Sequence, residues 1–197
     1  MKNLKNLDLS HNSLDWSIFS GQNKTKRLFR DHPLLNTIKL SNTSLKDMKC
    51  LGLNNLDYLI FLDLSYNLIE SFEKDLFKLN FSIENLDLSN NLIKFIQPSS
   101  FNYFSYLKYL NMGGNFLNDT EQFSNIYFGN FHLLTDLEIS HSKLTQLPLF
   151  NSYTFDIGKE FELLYMFLDH NFIESISAIY FDNFIKLTDL DLSYNRI

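Results

Sequence analysis

The sequence predicts an α/β repeat solenoid, a ladder of short parallel strands joined by short irregular or helical return segments. Three observations carry this expectation: a hydrophobic string that recurs along the whole chain, a strict alternation inside each copy, and one polar position that recurs in register with it. The 197 residues are 45% hydrophobic and 16% aromatic, with a net charge of −6. That balance excludes a disordered chain and supplies enough apolar surface for a sizeable core. With six Gly and three Pro, no stretch reads as a linker, so a single array is expected over residues 1–197.

The string L-x-x-L-x-L-x-x-N-x-L starts at Leu4, Leu35, Leu59, Ile83, Leu107, Leu134, Leu163 and Leu187, at spacings of 31, 24, 24, 24, 27, 29 and 24 residues. In the third copy Leu62 and Leu64 fall on one face of a strand, while Phe61, Asp63 and Ser65 fall on the other. Such a strand cannot bury its apolar side alone. Neighbouring copies must therefore stack and pair their strands in parallel.

The ninth position is Asn12, Asn67, Asn91, Asn115, Asn171 and Asn195 in six copies. An amide has both donors and an acceptor, so an inward Asn can satisfy buried backbone groups of adjacent turns, and a structural Asn ladder is expected. Thr43 and Ser142 take this place elsewhere. Their shorter reach predicts loosening, or a bridging water, in those two turns. In the return half, an aromatic or aliphatic residue recurs six and three positions before the next start. Phe101 and Phe104, Phe128 and Phe131, and Phe181 and Phe184 fit best; Phe29 and Phe77 fill the first slot alone, and Leu53 and Leu56 substitute in the second copy. Regular spacing predicts a buried aromatic spine on the convex side rather than a cofactor box.

These units resemble leucine-rich repeats over essentially the whole chain. The 24-residue length with a late Phe pair resembles the class found in animal extracellular proteins, and the irregular insertions resemble a Toll-like receptor ectodomain. The resemblance implies a horseshoe with a concave parallel sheet and a non-enzymatic recognition module of an extracellular receptor or adhesion protein. It also implies a protein or microbial ligand, a receptor dimer in the full-length protein, signalling in innate immunity, and a place outside the plasma membrane. Extracellular members usually carry Cys-rich caps, whereas this sequence starts at its first copy and stops inside its last. A fragment is expected, one that aggregates or is marginally stable when expressed alone, because uncapped ends expose apolar rungs and strand edges. The alternative is an intracellular, cytoplasmic repeat scaffold for protein-protein interaction, favoured by the single unpaired Cys50 and by the missing signal segment.

No catalytic motif appears, neither G-x-S-x-G, G-x-x-x-x-G-K-[ST], H-E-x-x-H nor C-x-x-C, so no enzyme and no cofactor are expected. The exposed strand positions are the candidate partner surface. Position five reads Asp8, Lys39, Asp63, Asp87, Asn111, Glu138, Phe167 and Asp191; neighbouring like charges there should raise carboxylate pKa values and favour a basic partner. Aromatic residues at Phe61, Tyr109 and Tyr165, with Phe167 and with Tyr66 and Tyr194 at position eight, are candidate anchors. Candidate partner contacts are thus Phe61, Asp63, Tyr66, Asp87, Tyr109, Glu138, Tyr165 and Phe167. His141 and His170 occupy position eight of successive copies beside Asp169. They are read as exposed histidines at the sheet margin rather than as a metal site.

Residues 1–50 carry nine basic against four acidic side chains, and the remainder eight against nineteen. Lys24, Lys26, Arg27 and Arg30 cluster in the long first unit and read as a solvated loop; the acidic bulk behind them disfavours nucleic acid. No apolar run of roughly 18 residues occurs, so no membrane contact is expected within this segment. Sequons at Asn23, Asn42, Asn80 and Asn118 are candidate glycosylation sites. Cys50 reads as a small core residue.

Overall fold

A computed structural model describes residues 3–19, 27–29, 31–73, 76–77, 82–97, 100–117, 131–148, 150 and 161–197. Each copy of the string forms a three-residue strand: β1 (Asn6–Asp8), β2 (Thr37–Lys39), β3 (Phe61–Asp63), β5 (Asn85–Asp87), β7 (Tyr109–Asn111), β8 (Asp136–Glu138), β9 (Tyr165–Phe167) and β10 (Asp189–Asp191). These eight lie side by side in chain order as one parallel sheet. The central residues Leu7, Ile38, Leu62, Leu86, Leu110, Leu137, Met166 and Leu190 are directly opposite one another. They point inward, and the six interior members are fully buried. Alternation then turns the flanking residues of every strand outward onto the open face.

Behind this sheet the chain returns through short 3-10 turns at Trp16–Phe19, Met48–Cys50, Leu53–Asn55 and Ala178–Phe181. A second, two-stranded parallel sheet joins β4 (Ser71–Phe72) to β6 (Phe95–Ile96). Its inward residues Phe72 and Ile96 occupy position fourteen, where Met48 is also buried. This row was not expected from the sequence, although a bulky apolar residue three places after the last leucine of the string announces it.

The asparagines form a ladder. Asn67 Nδ2 donates to Leu64 O and Ser65 O of its own turn and to Leu40 O of the turn before, at 2.7–3.0 Å. Its Oδ1 accepts from the N–H groups of Thr43 and Leu45. Asn91, Asn115, Asn171 and Asn195 repeat the donor pattern. Asn12, in the first turn, is exposed and bonds only Leu9 O and Ser10 O.

The expected loosening at Thr43 and Ser142 is corrected, since both side chains are completely buried. Thr43 Oγ1 donates to Leu40 O of its own turn or to Asn67 Oδ1 of the next. Ser142 Oγ reaches Met112 O of the preceding turn at 3.1 Å. In these two turns position ten, Ser44 at φ 61° and Lys143 at φ 62°, also adopts the left-handed region.

The Phe rows pack as a continuous interior. Phe72 stacks on Phe77 and Phe101 with ring centroids 5.3 and 4.9 Å apart, Phe77 meets Phe104 at 5.1 Å, and Phe101 meets Phe131 at 5.4 Å. Phe150, Phe161 and Phe184 form a further cluster at 5.0–5.3 Å. Phe29, Leu53 and Leu56 are buried as expected, Phe181 is half-buried, and Phe128 lies outside the described residues.

Candidate binding face

The open face of the sheet carries two outward rows. One runs Asn6, Thr37, Phe61, Asn85, Tyr109, Asp136, Tyr165, Asp189; the other runs Asp8, Lys39, Asp63, Asp87, Asn111, Glu138, Phe167, Asp191. The carboxylates of the second row have a local structural task. Asp8, Asp63, Asp87, Glu138 and Asp191 each accept from the N–H two residues ahead, on Ser10, Ser65, Ser89, Ser140 and Ser193, at 2.8–3.1 Å. Asn111 does the same for Gly113. The L-D-L-S spelling therefore caps the turn at the end of each strand.

This changes the electrostatics expected of the row. Asp8 lies below the ordinary carboxylate pKa, because the backbone and hydroxyl of Ser10 hydrogen-bond its charged form. Asp87 lies above it chiefly because burial penalises the charge; the Ser89 bonds oppose this, and the neighbouring charge of Asp63 adds a lesser push. Repulsion along the stripe is thus a secondary effect.

Among the aromatic candidates, Phe61 is half-buried with Lys39 Nζ 5.6 Å from its ring centre. Tyr109 is also half-buried, and its hydroxyl accepts from Asn111 Nδ2 at 3.2 Å. On β9, Tyr165, 37% exposed, and Phe167 stand on the same face. Asp136 and Glu138 flank them from β8, Asp189 and Asp191 from β10. Tyr66 is 61% exposed and belongs to a different place, the rim where strands turn over.

That rim is formed by position eight, which is left-handed in every turn: His11, Asn42, Tyr66, Asn90, Gly114, His141, His170 and Tyr194 have φ of 52–69°. The common backbone projects successive side chains alike. His141, His170 and Tyr194 consequently stack, with ring centroids 4.1 and 4.2 Å apart. Asp169 turns its carboxylate toward them, accepting at Oδ1 from Ser140 Oγ and lying 2.7 Å at Oδ2 from His170 Nδ1. Burial works against the Asp169 charge, but the Ser140 and His170 bonds outweigh it and hold its pKa below the ordinary value.

Asn42 is exposed on this rim, its Nδ2 3.3 Å from His11 Nδ1. The sequons at Asn23, Asn80 and Asn118, and Lys24, Lys26 and Arg30, lie outside the described residues; Arg27 hydrogen-bonds Asn54 Oδ1. Cys50 is half-buried against the core, donates to Asp47 O, and burial pushes its thiol pKa up to about 12. That is an inert thiol. Among the described residues no helix is long and apolar enough to cross a membrane.

Residues 3–22 and 82–104 match the Leucine Rich Repeat family model. No curated protein matches the sequence. A solved chain from an octameric complex of Latrophilin 3 (Lec, Olf), Unc5D (Ig, Ig2, TSP1) and FLRT2 (LRR) superposes with a TM-score of 0.71 at 22% identity, over 98% of this chain and 55% of that one. The sequence thus spans about half the length of the chain it resembles. Repeat pattern, sheet topology and superposition agree on a leucine-rich repeat horseshoe whose concave face is the eight-stranded sheet.

Proposed function

We propose that this array, a single unit over residues 1–197, is a non-enzymatic module that binds a protein through its concave face, within an extracellular receptor or adhesion protein. The observation that carries the reading is the Tyr165 and Phe167 pair on β9, framed by Asp136, Glu138, Asp189 and Asp191. Aromatic side chains on a rigid scaffold are the commonest interface anchors, and the surrounding carboxylates select a partner with basic groups around an apolar centre. The similar solved chain comes from a complex of several proteins, which supports a protein partner. A Toll-like receptor identity, a microbial ligand, receptor dimerisation and innate immune signalling follow from the repeat resemblance. A glycan on Asn42 belongs to the same reading; Asn42 and Ser44, the acceptor and the hydroxyl residue of that sequon, are both exposed.

The test compares immobilised wild-type chain with a Tyr165→Ala/Phe167→Ala variant against extracellular and cytosolic protein pools. The reading expects a species captured from the extracellular pool by the wild type and released by the double variant. Equal capture by both would overturn the concave site. The cytoplasmic scaffold reading, favoured by the free thiol of Cys50, expects the partner in the cytosolic pool and no glycan on Asn42.

A further inference from the structure

Apart from partner binding, we infer that His141, Asp169 and His170 form a divalent transition-metal site of the zinc type on the rim of the concave sheet. Ligand atoms of the three side chains all lie within 4.8 Å of one another. Asp169 Oδ2 is 2.7 Å from His170 Nδ1 and 4.0 Å from His141 Nε2, while its other oxygen is held by the Ser140 hydroxyl. One carboxylate oxygen therefore faces both imidazoles, and the hydrogen bond that orients a ligating carboxylate is already made.

The repeat itself provides an independent observation. Position seven is Ser10, Ser41, Ser65, Ser89, Ser140 and Ser193, with Gly113 in one turn; only here is it a carboxylate, Asp169. Only here do two successive turns also place histidine at position eight. Both departures coincide in space. The left-handed backbone at φ 56° and 52° aims the two rings the same way, and Tyr194 supports the outer face of His170. The cations next in sequence are occupied elsewhere, Lys143 Nζ 4.3 Å over Phe116 and Arg196 4.3 Å over Phe172.

Two imidazoles and one carboxylate suit zinc, and also nickel or copper. Donors bound at about 2 Å to one tetrahedral ion stand about 3.3 Å apart, so the 4.0 Å gap between His141 and Asp169 closes. The 2.7 Å hydrogen bond between His170 and Asp169 opens, its proton leaving to solvent as the metal takes its place. Both movements are open to the two histidines because they are exposed. Solvent then completes the coordination sphere.

The full chain, purified without a histidine tag, is titrated with zinc chloride in competition with a fluorescent chelator, and cobalt(II) is followed by its visible spectrum. His141→Asn and His170→Asn remove ligands while keeping a residue that tolerates the left-handed turn, and Asp169→Ser restores the commoner repeat letter. Ser140→Ala tests the orienting bond, and His11→Asn is the control. One zinc per chain is expected, weakened at least tenfold by each ligand variant, about tenfold by Ser140→Ala, and unchanged by His11→Asn. Wild-type affinity in the ligand variants, or an equal loss in the control, overturns the site. Far-UV circular dichroism of each variant separates ligand loss from unfolding.

Discussion

At position eight the side chain decides how much strain each turn holds, because the backbone there is left-handed throughout the array. Asn42, Asn90 and Gly114 suit that conformation, whereas Tyr66 and Tyr194, both at φ 54°, carry a steric cost of about 1–2 kcal/mol. Tyr66 is largely exposed and gives up little packing. Tyr66→Asn should therefore stabilise the fold by about 1 kcal/mol, read as a higher denaturant midpoint at unchanged slope. Gly114→Ala should act oppositely, since a Cβ there would stand 2.7 Å from Asn90 Oδ1 at φ +69°; a loss of more than about 1 kcal/mol is expected. Asp87 supplies a pH test. Its folded pKa is raised, so its carboxylate opposes folding above that pKa, and the deficit vanishes as pH falls below it. Asp87→Asn keeps the bond to Ser89, as Asn111 does for Gly113, and should raise the melting temperature at neutral pH but not in acid. An equal gain at both pH values would contradict the role of the charge.

Within a turn, the Asn ladder and the Phe rows hold the strand to its return segment. Asn91 satisfies the carbonyls of Leu64, Leu88 and Ser89 and the N–H of Ile69, all in the interior. Asn91→Ala leaves them unpaired and should cost about 3 kcal/mol or more. Phe101 is buried against Phe72, Phe104 and Phe131, and Phe101→Ala should cost about 3–5 kcal/mol. Both changes are read by equilibrium denaturation. The ladder was legible in the sequence because an amide held at one fixed inward position must find buried backbone groups to bond. Less legible was that Thr43 and Ser142 stay buried and hydrogen-bonded beside a left-handed Ser44 and Lys143, which no letter announces. Phe72 and Ile96 were missed although apolar letters recur at their position, three places after the string: the row lies between the string and the late Phe pair, and the β4–β6 pairing makes it an element.

Across the whole molecule, the outer edges of β1 and β10 have no neighbouring strand among the described residues, and Leu190, 40% exposed, stands where interior turns bury leucine. The 197-residue chain expressed alone should associate as concentration rises, through these edges. Sedimentation velocity reads this directly, and a monomer with a cooperative melt would contradict it. The exposed ion pairs between neighbouring turns, Lys49 with Glu73, Lys108 with Glu84 and Lys186 with Glu162, add little against that tendency. The sequence by itself determined the period, the inward and outward faces and the outward rows, because these follow from spacing within one copy. Tertiary structure decided what the outward letters do. It assigned the stripe carboxylates to capping, left Tyr165 and Phe167 facing outward among four acids, and brought His141, Asp169 and His170 within reach of one another. The physical reason is geometry that letters do not carry. The capping bonds are local, two residues apart, and depend on the turn that ends each strand. The contacts of Ser140 with Asp169 and of His141 with His170 instead join residues about one repeat apart and depend on how far each turn advances and rotates, which only the packed core sets.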